Sequence, residues 1–66
     1  MNYTKLSEAK QYFYAAREQE IPMAVDILND YEELLDMGQD FAANHMLLEI
    51  YKQVLLIEKD DINVNT

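Results

Sequence analysis

Apolar residues recur along most of this chain at intervals of three and four, the spacing of one helical face. Between residues 4 and 19, Leu6, Ala9, Tyr12, Phe13 and Ala16 fall on one side. Between 22 and 37, Ala24, Ile27, Leu28, Tyr31, Leu34 and Leu35 lie within an arc of about 140° at 100° per residue. Asp26, Asn29, Asp30, Glu32, Glu33 and Asp36 take the opposite arc, so no acid has to be buried. A third periodic segment runs from about 41 to 59.

The breaks between segments carry their own marks. Pro22, the only proline, keeps Ile21 out of the helical region and suits the first turn of a new helix, where a missing N–H is harmless. Gly38, the only glycine, follows Met37 where a helix ends in a left-handed residue. Asp40 then stands where an N-cap is wanted. The pattern predicts an all-α protein, a small three-helix bundle or helical hairpin, with helices at about 4–19, 22–37 and 41–59. The connections are short, which makes sequential helices antiparallel. Residues 1–59 form a single helical domain in this reading, and 60–66 a flexible polar tail.

The third segment has more apolar surface than one face needs. Ala43, Met46, Leu47, Ile50, Val54 and Ile57 form one stripe, while Phe41, Leu48 and Leu55 form a second at seven-residue steps on nearly the opposite side, flanked by Tyr51. A helix that is apolar on two faces touches two things. Either both are helices of the same chain, or one is another chain. The second alternative makes Phe41, Leu48, Tyr51 and Leu55 a seam for a partner or for a homodimer.

Size sharpens that expectation. A chain of 66 residues buries only about 60% of the surface its unfolded form exposes, so its core alone is marginal. Domains this small commonly rely on disulfides, a structural metal or a partner. There is no cysteine here and a single histidine, His45, which points to the partner. No apolar run approaches the roughly 20 residues of a membrane span, and MNYTKLSEAK lacks the charged-then-apolar order of a signal peptide. The expected location is cytoplasmic. Abundant Asn, Asp, Tyr and Ile fit an AT-rich bacterial, phage or mobile-element source.

Charge changes the picture most. The formal net charge is −8, which disfavours direct binding to nucleic acid or to an anionic membrane and favours a partner with a basic surface. From Glu18 to Tyr51 there are nine acids and no lysine or arginine. The clustered positive charge lies in the first helix, where Lys10, Tyr14 and Arg17 share a side and form a possible contact patch, since Tyr and Arg are enriched where proteins meet.

Catalytic chemistry finds little footing. Ser7, Thr4 and Thr66 lie near the ends, away from His45, and suit capping better than nucleophilic attack. One glycine cannot build a phosphate-cradling loop. His45 and Glu49 share a helix side, but no second histidine completes a metal set. The expectation is no enzyme, no cofactor and no metal.

What remains is the acidic face Asp26, Asp30, Glu32, Glu33 and Asp36. Helix solvation alone explains much of it. A partner-docking surface is the functional reading: charge steers the encounter and a neighbouring apolar line supplies affinity. Such a module would regulate or inhibit its partner. The alternative is a structural or assembly subunit self-associating through helix 3. More distant is nucleic-acid mimicry, for which Asp26 to Asp40 would span about 21 Å at 1.5 Å per residue, a sparser row than a DNA strand presents.

Overall fold

In the computed structural model, which describes the backbone of residues 3–64 and the side chains of residues 4–58, the chain folds into α1 (Tyr3–Glu18), α2 (Pro22–Asp36) and α3 (Asp40–Val64). Each helix packs on the other two, as a three-helix bundle requires. The expected boundaries hold at both turns. At its far end α3 runs on to Val64, five residues past the expected stop at 59. Nothing in DINV interrupts it, since Asp61, Ile62, Asn63 and Val64 include neither Gly nor Pro. The backbone is therefore helical over most of the stretch expected as a polar tail, and residues 65–66 lie outside the described residues.

Both reversals are closed by backbone hydrogen bonds of the same form. At the end of α2, Gly38 has φ of 77°. Its N–H donates to the Leu35 carbonyl (3.0 Å), and the Gln39 N–H donates to Leu34 (2.9 Å). This is the Schellman pattern, which satisfies carbonyls that a helix end would otherwise leave unpaired. The end of α1 repeats it with a non-glycine. Glu20 takes φ of 61°, its N–H donates to Arg17 (2.9 Å), and the Ile21 N–H donates to Ala16 (3.2 Å). Ile21 is then extended ahead of Pro22 (φ −72°, ψ 117°), and its carbonyl accepts from the Val25 N–H. One residue finishes the first turn and starts the next helix.

At the start of α3 the cap differs by one place from the sequence expectation. The Gln39 carbonyl accepts from the Ala43 N–H at 2.9 Å, so Gln39 holds the cap position and Asp40 lies in the first turn. A carboxylate there still faces the positive end of the helix dipole.

The core is assembled from Leu6, Ala9 and Phe13 of α1, Ala24, Leu28 and Tyr31 of α2, and Ala43, Leu47, Leu48 and Tyr51 of α3. Phe13, Leu28 and Leu47 are the large side chains with essentially no exposure, and burial of each is worth roughly 1.5–3 kcal/mol. Every helix also contributes one buried alanine, which lets the axes approach closely where a larger residue would hold them apart. One polar group this core accommodates is the Tyr31 hydroxyl, which donates to Asn44 Oδ1 at 3.0 Å. Among the described residues no buried side-chain polar atom lacks a partner.

α3 brings the middle of its second apolar line inside the same chain. Met46, Leu47 and Leu48 are consecutive and all sheltered, which at 100° per residue sets a sheltered arc of roughly 200°. A helix wedged against two others needs an arc that wide. Leu48 (7% exposed) and Tyr51 (9%) therefore belong to the monomer's own core. Tyr51 packs against Phe13 and Tyr12, with ring centroids 6.3 and 5.6 Å away. Ile57 departs in the other direction: expected in the core stripe, it is 61% exposed. α1 does reach this level, through the Tyr12 hydroxyl that donates to Glu58 Oε1 at 3.4 Å, but that contact is polar and exposed, and Ile57 stays in water.

Candidate functional site

The outward side of α2 is where charge and uncovered apolar surface meet. Asp26, Asp30 and Glu33 follow one another at steps of four and three along it, and at 100° per residue Met37 falls on the same side. All four are exposed. Met37 is 63% exposed because it occupies the C-cap of α2, where the chain turns away from the core. Beside this stripe an open groove of ≈ 310 Å³ runs between α2 and α3, lined by Asp30, Glu33, Leu34, Met37 and Met46. Leu34 and Met46 form its half-buried part, and the two carboxylates form its rim.

The five acids expected as one docking face divide into two settings. Glu32 faces α1. Its carboxylate receives Arg17 Nη1 at 3.4 Å and the Tyr14 hydroxyl at 3.3 Å, and the Arg17 guanidinium sits 4.7 Å from the Tyr14 ring centroid. Burial, and then the neighbouring Glu32 carboxylate, raise the Tyr14 pKa above its ordinary value, which keeps the phenol a donor. Two members of the expected contact patch are thus engaged with α2. Lys10, the third, is half-buried on α1 and joins neither bond. Asp26, Asp30, Glu33 and Asp36 make no ion pair among the described residues. Among the described residues, the basic partner missing from the local sequence is supplied across the bundle for Glu32 and for no other acid of α2.

The expected seam along α3 is not a continuous exposed line. Phe41 is 74% exposed and lies nearly parallel to the His45 ring, centroids 6.2 Å apart and planes 6° from parallel. Leu55 is partly exposed. Between them, Leu48 and Tyr51 are buried inside the chain and unavailable to a second one. Further along, Leu56 joins Leu55 and Ile57 in an exposed apolar run.

The groove was not visible in the sequence. Leu34 and Met46 have the spacing of ordinary core positions, and Met37 has the place of a residue before a helix stop. A partial signal did exist: Met37 continues the Asp26, Asp30, Glu33 periodicity by one further turn. Glu49, which shares a helix side with His45, instead pairs with Lys52 (3.5 Å). Among the described residues no three His, Cys, Asp or Glu side chains converge as a metal set, and no helix is long and apolar enough to cross a membrane.

No protein-family model, curated protein or solved structure matches this chain. The functional reading therefore rests on the geometry alone.

Proposed function

We propose that this chain is a small acidic interaction module that binds, and so regulates or inhibits, a partner protein with a basic surface. One observation carries the reading: Asp26, Asp30, Glu33 and Asp36 are exposed on one helix with no ion pair among the described residues, and two of them rim an apolar groove. Unpaired carboxylates raise the encounter rate with a cationic surface, and desolvation of neighbouring apolar groups holds the complex once formed. Acids that are already neutralised within a fold offer neither advantage. Mimicry of nucleic acid draws less support, since Asp40, the far end of the row that begins at Asp26, stands on another helix, beyond the turn at Gly38.

The test is an affinity pulldown from the source cell at low and high salt, comparing wild type with Asp30→Lys/Glu33→Lys. The expected result is a basic partner released by salt and lost in the double variant, whose helicity by circular dichroism matches wild type. A partner retained equally by both proteins would remove the acidic surface from the mechanism.

A second reading, an assembly subunit that self-associates through α3, draws support from the exposed run Leu55, Leu56 and Ile57. Sedimentation of wild type and Leu56→Glu separates the two. A wild type that is monomeric at every concentration would end the self-association reading.

A further inference from the structure

We infer that the groove between α2 and α3 receives one face of a cationic amphipathic helix from the partner, with an apolar anchor over Leu34, Met37 and Met46 and Lys or Arg side chains against Asp30 and Glu33. The inference rests on the proposed binding function and specifies the shape and chemistry of what is bound.

Three properties of the groove select this occupant. Its floor is apolar while its rim carries two carboxylates that no cation of the described residues engages, so the complementary surface is apolar in the middle and positive at the edge. That rim disfavours a second copy of the chain in a twofold contact. Such a contact would set Asp30 and Glu33 of one protomer near those of the other, within a molecule already at −8. The walls are two helices whose backbones are hydrogen-bonded internally, with no strand edge on offer among the described residues. An extended peptide would find no backbone partners here, whereas a helix brings its own satisfied backbone and offers side chains at steps of three and four.

The composition of the floor adds to this. Met37 and Met46 are unbranched and polarizable, able to refit around an anchor by rotating single bonds. At ≈ 310 Å³ the groove sits at the lower end of the roughly 300–1,000 Å³ of small-ligand pockets, and it is open along one side, which suits an inserted side chain. Met37 in particular gains from being covered, since more than half of its surface faces water in the free chain.

The experiment uses the full chain with its methionine methyl groups isotope-labelled and a synthetic amphipathic Leu/Lys helix as probe, followed by NMR. A peptide of the same composition, scrambled to destroy the apolar face, serves as comparison. Met23 lies on the opposite end of α2 from Met37 and gives an internal reference. The expected result is a shift of the Met37 and Met46 methyl signals with Met23 unmoved, and roughly tenfold weaker binding for the scrambled peptide. Met37→Gln, at an exposed position that leaves the fold intact, is expected to weaken the amphipathic peptide by a similar factor. Equal binding of both peptides, or no effect of Met37→Gln, would overturn the groove while leaving a purely electrostatic surface standing. Loss of binding in Asp30→Lys/Glu33→Lys, with Met37 and Met46 unmoved by the peptide in wild type, would overturn it in the same way. Absence of binding by either peptide overturns the inference, and the cellular pulldown still decides the broader function.

Discussion

Glu20 holds a backbone conformation that costs a residue with a Cβ about 1–2 kcal/mol. Gly38, in the equivalent place at the other turn, carries no such cost, and a Cβ there would meet nothing within 4 Å. The difference makes a prediction. Glu20→Gly should stabilise the protein by about 0.5–1 kcal/mol, the relief of strain being partly offset by the greater freedom of glycine in the unfolded chain. Urea denaturation measures it, and a loss of stability would mean that the Glu20 side chain makes a contribution larger than the strain. The same pair shows what a residue reveals of its role. Gly38 and Pro22 were legible in the sequence because their chemistry admits few conformations. Glu20 was not, since nothing about a glutamate marks a left-handed turn, and only the bonds around Arg17 and Ala16 force it there.

At the scale of the helix, the core residues of α1 and α2 were legible almost entirely, because each of these helices has one apolar side and the period identifies it. α3 was legible in content but not in direction. Its second line, Phe41, Leu48 and Leu55, has a regular period, and a period cannot say whether the facing surface belongs to the same chain. The fold splits the line: Leu48 goes inside, Phe41 remains in water, and Leu55 lies between these extremes. A substitution pair checks the division. Leu48→Glu would place a charge in the core at a cost of about 3 kcal/mol or more, against a total stability of roughly 0.05–0.15 kcal/mol per residue. Leu48→Glu is expected to lose its helical circular dichroism at room temperature, while Leu56→Glu, at an exposed position, is expected to keep it. A folded Leu48→Glu would place Leu48 at the surface and restore the continuous seam.

For the molecule as a whole, thirteen acids against five basic side chains give a folded state that repels itself. Among the described residues its ion pairs are Lys5–Glu8, Arg17–Glu32 and Lys52–Glu49, all at least partly exposed. Exposed pairs of this kind contribute little each. Raising the salt from about 10 to about 150 mM shortens the screening length from about 30 to about 8 Å, so it should relieve repulsion more than it weakens these pairs. Tm is expected to rise, by about 4–8 °C if the relief reaches about 1 kcal/mol. A fall in Tm on adding salt would mean that the Arg17–Glu32–Tyr14 cluster outweighs the repulsion. The charge imbalance was legible from composition, whereas its distribution was not. Arg17 and Glu32 are fifteen positions apart and meet only because α1 and α2 pack side by side, and the groove needs Met46 from a helix outside the acidic segment.

The two Schellman turns have a consequence for how the chain reaches this arrangement. Each reversal is closed by hydrogen bonds between residues no more than five apart in sequence, from Ile21 back to Ala16 and from Gln39 back to Leu34. Little loop-closure entropy stands between an extended chain and a hairpin of two helices, because the loops that must close are nearly as short as loops can be. Helical bundles built on contacts this local cross their folding barrier in microseconds to milliseconds. A chain that refolds on that timescale spends little time with its core open to other molecules.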